Sequence, residues 1–150
     1  MDLASEESLG FQVRRCHRAF DRLLNARLAR HGLSSGFWGF LRALWQESGV
    51  TQARLSQLNN VTAPTAVTTL NAMARAGLVR RERDPADGRK LHIFLTPRGR
   101  RLKEDLVPMA QRINEAASAG ISPEDLRTTL RVLDRISANL AREIEQEAAP

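Results

Sequence analysis

The residues best suited to chemistry are concentrated in one stretch. From Arg75 to Lys103 there are ten basic residues (Arg75, Arg80, Arg81, Arg83, Arg89, Lys90, Arg98, Arg100, Arg101 and Lys103) against Glu82, Asp84 and Asp87, a net of +7. The whole chain nets +6, so everything outside that stretch sums to −1. A positive field confined to one segment suits a polyanion, because each phosphate neutralised releases condensed counterions. Charge kept only for solubility would be spread more evenly. Just before the basic stretch lie Thr65 and Thr68, short hydroxyl-bearing side chains on one polar face. No nucleophile–base–orienter set, glycine-rich phosphate loop or carboxylate pair is present, so an enzyme is not expected. The single cysteine excludes an internal disulfide. His17, His31 and His92 are scattered along the chain, and neither a metal nor a cofactor is expected.

These residues need a scaffold. Thr62 reads as a helix cap and Pro64 as a first-turn residue, followed by Ala66, Leu70, Met73 and Gly77 at helical spacing. Thr65, Thr68, Asn71, Ala72 and Arg75 occupy the opposite face. Gly77 supplies a helix stop. The period then becomes alternating: a strand opens at Leu78 and Val79, Asp84, Pro85, Asp87 and Gly88 make a turn, and Leu91, Ile93 and Leu95 alternate inward on a return strand. So short a hairpin must lean on helices.

The remaining segments read mostly as helix. Leu9, Val13, Cys16, Phe20, Leu23, Leu24 and Leu28 form the stripe of a long amphipathic helix ending at His31-Gly32. A second helix over 36–46 is apolar nearly all round and should be the central buried one. Thr51 caps a third over 52–58, with Leu55 and Leu58 expected inward. Asn59-Asn60 turns the chain into the hydroxyl-faced helix, completing a helix-turn-helix whose second helix suits the major groove. Thr96-Pro97 starts a fifth helix containing Pro108, and Ser118–Ser122 links to a last one begun by Ser122-Pro123-Glu124-Asp125. The N-terminal segment, MDLASEESLG, is polar and acidic, unlike a secretory signal, and residues up to about Ser8 look like a loose leader. No apolar run reaches membrane-spanning length, so no membrane partner is expected and the cytoplasm is the expected compartment.

The fold expected is mainly α with a small β-wing. It is a single domain of 150 residues, with a winged helix-turn-helix core over about 35–97 and dimerisation helices over about 8–32 and 98–147. The outer helices carry stripes that one small domain cannot cover, whereas a second copy can. A homodimer would present two recognition helices about one DNA turn apart, hence a pseudo-palindromic site.

Asp84-Pro85-Ala86-Asp87-Gly88-Arg89-Lys90 followed by Leu95-Thr96-Pro97-Arg98-Gly99 resembles the wing of the MarR family of transcriptional regulators. Thr51-Gln52-Ala53, Ala76-Gly77-Leu78-Val79 and Ser122-Pro123-Glu124-Asp125-Leu126 add weaker matches, and the resemblance runs from the first helix to about Leu140. It implies a ligand-responsive repressor on double-stranded DNA. Thr62, Ala63, Pro64, Thr65 and Thr68 would meet the major groove, Arg89 would reach the minor groove, and Asp84 would hold the base of the wing. Arg75, Arg81, Arg83, Asp87, Gly88 and Lys90 complete the expected DNA-binding set. Relatives often carry an arginine where this chain has Ala63 or Thr68. Its absence suggests base reading through hydroxyls and methyls, with affinity coming mainly from the wing and phosphates.

The resemblance also implies release by a small aromatic or acidic effector, or an acyl-thioester. Arg15, His17, Phe20, Trp38 and Trp45 are the candidate pocket residues, with Arg14, Phe37 and Phe40 nearby in sequence and simple core packing as the alternative for each aromatic. Cys16 raises a thiol-based redox-sensing alternative. Its place on the apolar stripe instead suggests a buried small hydrophobe. A non-specific winged-helix DNA-binding or architectural protein, or a winged helix used for protein contacts, is the other alternative.

Overall fold

The computed structural model describes residues 6–149, so residues 1–5 of the expected leader lie outside the described residues. The described residues form two compact units that meet in sequence between Ile113 and Asn114.

In the first unit, α1 (Leu9–Ala29) is capped by Ser8, whose hydroxyl accepts the Phe11 N–H. A single 3₁₀ turn (Ser35–Phe37) leads into α2 (Trp38–Gln46). Then follow β1 (Val50–Thr51), α3 (Gln52–Leu58), α4 (Ala63–Arg75), β2 (Val79–Arg83), β3 (Leu91–Leu95) and α5 (Pro97–Ala117), whose last residues pass into the second unit. The punctuation follows the sequence. Thr51 and Thr62 cap α3 and α4 by accepting the N–H of Arg54 and Thr65. Asn60 (φ 49°) makes the left-handed turn between them, and Gly77 (φ 72°) ends α4. At Gly77 a side chain would be strained, because only glycine takes such φ at no steric cost.

The sheet is antiparallel with order β1-β3-β2. Val79 faces Leu95 and Arg83 faces Leu91 across the hairpin, and Val50 faces Ile93 on the other side of β3. The strand β1 was not expected: two residues are too few to show a period. It turns the hairpin into a three-stranded wing anchored to the helices at β1.

The core of this unit includes Leu28, Phe40, Leu41, Leu44, Leu55, Ala66, Leu70, Met73, Leu78, Ile93, Leu95 and Leu106, each 2% exposed or less, with Val79 of β2 at 4%. Full burial of the larger of these side chains stabilises by roughly 1.5–3 kcal/mol each. Every helix from α2 to α5 and both wing strands contribute, so the pose of α4 and the wing is fixed by shared packing. As expected, α2 is central through Phe40, Leu41 and Leu44, although Phe37, Trp38 and Trp45 are only half-buried.

Two expectations are corrected here. Leu58 is 50% exposed, not inward, because α3 is only seven residues long and only Leu55 of its side chains is buried. Cys16 is exposed rather than buried: of the whole α1 stripe only Leu28 is buried, and Val13 and Phe20 stand exposed beside the cysteine.

In the second unit, Ser118–Ser122 connects to α6 (Pro123–Glu147), with Gly120 at φ 76°. Ser122 caps α6 through the Asp125 N–H, and Glu124 and Asp125 oppose the positive end of the helix dipole. No residue of α6 is buried, and Leu130, Leu133, Leu140 and Ile144 all stand exposed.

Candidate nucleic-acid interface

The first two turns of α4 present Ala63, Pro64, Thr65, Val67 and Thr68 to solvent, while Ala66, Leu70 and Met73 hold the opposite face in the core. The hydroxyls are organised. Thr62 Oγ1 accepts the Thr65 N–H (3.3 Å) and donates to Thr65 Oγ1 (3.0 Å), and Thr68 Oγ1 donates back to the Pro64 carbonyl (3.1 Å). Val67 is 39% exposed, and the sequence pattern did not flag it. Arg75 is exposed in the last turn.

Asn71, one turn beyond Val67 on the same flank, is tied to the wing. Arg81 Nη2 on β2 donates to Asn71 Oδ1 at 2.7 Å. The carbonyl end of the amide is thereby committed, and Nδ2 is left as a donor. Arg81 Nε is buried without a partner. Arg81 is thus a strut between β2 and α4, half-buried rather than free on the surface. No sequence period announces this contact, which depends on the crossing of a strand and a helix.

The wing loop is braced from inside. Asp84 Oδ1 accepts the N–H groups of Ala86 (2.8 Å) and Asp87 (3.0 Å), and Arg83 Nη1 donates to the Gly88 carbonyl (2.7 Å). Asp87 Oδ1 accepts the Arg89 N–H at 3.1 Å. The Arg89 side chain itself is 96% exposed, 3.8 Å from the Asp87 carboxylate, and Lys90 beside it is exposed. A crevice of about 500 Å³ runs between this loop and the helix-turn-helix, lined by Thr51, Gln52, Ser56, Ala63, Arg89 and Lys90 among others. Two cations, the N-terminal end of α4 and the cap of α3 therefore border one concave surface. Helix N-termini and cations together favour anionic oxygen.

Asp84 holds the base of the wing through His92, a partner the sequence did not indicate. Nε2 lies 2.8 Å from Asp84 Oδ2, and Nδ1 lies 2.9 Å from the Gly49 carbonyl oxygen, just before β1. A carbonyl can only accept, so Nδ1 carries a proton, and a proton on Nε2 as well makes both contacts favourable. The Gly49 carbonyl, then the Asp84 carboxylate, raise the His92 pKa above 6.5, with partial desolvation and then Lys90 opposing. Glu82 sits across from His92 on β2, paired with Arg80 rather than with the imidazole. The His92 hydrogen bond, then the Ala86 and Asp87 amides, hold the Asp84 carboxyl down to about 2. His92 thus clasps β1, β3 and the wing loop together. On the neighbouring position of the wing, Arg80 lies over the Phe94 ring, 4.6 Å from its centroid.

Trp38 and Trp45 meet edge to face with centroids 5.9 Å apart, and Trp45 Nε1 donates to the Gly99 carbonyl at 2.9 Å, tying α2 to α5. Trp45 also borders a crevice of about 290 Å³ with Arg100 and Lys103. Arg15, His17 and Phe20 lie exposed on α1. Among the described residues, no group of three or more His, Cys, Asp or Glu side chains could hold a metal.

The sequence model of the MarR family matches residues 31–90, which span α2 to the wing tip. An uncharacterised HTH-type transcriptional regulator of Staphylococcus aureus is similar at 27% identity over 133 residues, covering 87% of this chain and 91% of that protein. The fold is similar to that of S. aureus MepR solved in complex with DNA: TM-score 0.82, 20% identity, 88% of this chain and 98% of that one. It is also similar to that of Bordetella bronchiseptica BpsR, whose DNA binding is regulated by 6-hydroxynicotinic acid: TM-score 0.83, 23% identity, 91% of this chain and 98% of that one.

Proposed function

The chain belongs to the MarR family of DNA-binding transcriptional regulators, non-enzymatic proteins, and we propose that it is a sequence-specific repressor acting as a homodimer. In this reading α4 enters the major groove of a pseudo-palindromic operator while Arg89 of each wing reaches the flanking minor groove. Lys90, Arg83 and Arg75 meet phosphates. Arg81 contributes mainly by holding Asn71 and the wing in register, and Asp87 and Gly88 shape the loop behind Arg89.

The observation that carries the proposal is the joint exposure of a hydroxyl- and methyl-faced helix and of a wing-tip arginine, both braced from within. Rigid placement of groove-reading groups limits the entropy lost on binding. The winged fold of MepR on DNA supports the same use of these elements. Dimer formation is supported by the apolar side chains that α1 and α6 leave exposed, Leu9, Val13 and Phe20 on the first and Leu130, Leu140 and Ile144 on the second. Such patches mark interaction sites on soluble proteins.

Release by a small aromatic or acidic effector is supported by the Trp38–Trp45 pair and by the BpsR precedent. Cytoplasmic location accords with this role, and no helix of the described residues is long and apolar enough to cross a membrane. Selection of bound fragments from the source genome, followed by competition against scrambled duplex, tests the reading. A preference of about a thousandfold or more is expected for a specific regulator. Equal affinity for both duplexes would instead favour an architectural protein. Sedimentation should give a dimer, and a stable monomer at micromolar concentration would remove the dimerisation role of α1 and α6.

A further inference from the structure

We propose that α4 identifies its operator chiefly by the C5-methyl groups of thymines, through the side-chain methyls of Ala63, Thr65, Val67 and Thr68. The inference rests on the reading of α4 as the recognition helix and specifies which bases that helix selects.

Bidentate guanine reading needs an arginine or lysine at the groove, and bidentate adenine reading needs an amide offering its carbonyl and its N–H together. The exposed face of α4 supplies neither. Its first two turns hold no side-chain N–H donor, and its sole cation, Arg75, stands in the last turn. Asn71 is the only side-chain amide of α4, and Arg81 Nη2 on β2 already holds its oxygen, which restrains the amide from turning to meet a base edge-on. The Thr68 hydroxyl proton is spent on the Pro64 carbonyl, which leaves Oγ1 as an acceptor with its methyl beside it. Thr65 Oγ1 receives the Thr62 proton and keeps one of its own to donate.

Over the first two turns, what remains toward a groove is a set of methyls with one hydroxyl donor and one hydroxyl acceptor. Val67 adds an exposed β-branched side chain that the core does not use: Ala66, Leu70 and Met73 already fill the inner face. Among the four bases only thymine offers a methyl in the major groove. A methyl-faced helix therefore gains most over T·A pairs, and its hydroxyl acceptor suits the exocyclic amines of adenine or cytosine. The predicted half-site centre is T·A-rich, with no position that requires guanine.

The chemical test replaces each thymine of a selected duplex with deoxyuridine, which removes the methyl and keeps the pairing. Burial of one methyl corresponds to about a fourfold change in affinity. Each contacted thymine should therefore lose about fourfold in the wild type. Thr68→Ser removes the protein methyl and keeps the hydroxyl, so the variant should become insensitive to deoxyuridine at one position per half-site. Val67→Ala should do the same at a neighbouring position. If the selected duplex is preferred over scrambled competitor but tolerates deoxyuridine everywhere, methyl reading is overturned while the regulator assignment stands. Sensitivity that Thr68→Ser and Val67→Ala both leave unchanged would equally overturn it. If no duplex is preferred at all, the assignment of α4 as a specific recognition helix fails first.

Discussion

Gly99→Ala probes the seam between the wing and α5. Gly99 is buried in the first turn of α5; its N–H donates to Thr96 Oγ1 and its carbonyl accepts Trp45 Nε1. A Cβ built there overlaps the Leu78 carbonyl oxygen, with the Leu78 carbonyl carbon at 3.2 Å and Leu95 Cδ2 at 3.0 Å. Leu95 could turn aside, but Leu78 O cannot: it already accepts the Thr96 N–H at the exit of the wing. Overpacking typically costs about 1–3 kcal/mol, and an obstacle made of backbone places this site near about 3. Alanine recovers at most about 1 kcal/mol of helix propensity. The net expectation is a loss of about 2 kcal/mol. With a urea m-value of about 2 kcal/mol/M, the unfolding midpoint should fall by about 1 M at fixed protein concentration. Gly10→Ala supplies the propensity term alone, since a Cβ at this exposed first-turn glycine of α1 meets only the flexible Arg14 side chain, and it should not destabilise. An unchanged or raised midpoint in Gly99→Ala would refute the close approach of α5 to the wing on which the pose of Arg89 depends.

Other perturbations separate direct DNA binding from support. Arg89→Ala should leave stability within about 0.5 kcal/mol of wild type, because its side chain is almost fully exposed. The slope of log affinity against log salt should flatten by about 0.9 for each phosphate that Arg89 neutralises, and parallel lines would remove Arg89 from the interface. The His92 pKa is raised on folding, so its stabilisation is complete below about 6.5 and is lost as pH rises through the folded value. Asp84 works in the opposite sense, present above about 3.8 and lost as pH falls through about 2, so the clasp is strongest in mildly acidic solution. Urea midpoints at about pH 6 and about pH 8 should therefore differ more for wild type than for His92→Gln, and equal differences would dissolve the clasp.

Much of this was legible in the sequence because it is local. Ser122, Thr51 and Thr62 announce caps, Gly77 announces a left-handed stop, and Leu91, Ile93 and Leu95 announce a half-buried strand that β3 matches end to end. The corrections and omissions come from the packing of distant segments. Leu58 and Cys16 sit on apolar stripes, yet a stripe does not say whether anything covers it. The strand β1 is defined only by pairing with β3, and the bonds Arg81–Asn71 and His92–Gly49 join elements that no spacing relates. Val67 escaped notice because a valine in a helix reads as core until its exposure is known.

Hydroxyl-radical footprinting of a selected duplex tests most directly whether α4 and two wings grip DNA together. The account predicts two protected half-sites centred about 10 base pairs apart, each flanked by a protected minor-groove segment that becomes reactive in Arg89→Ala. Uniform protection along the duplex, unaltered by that substitution, would contradict it.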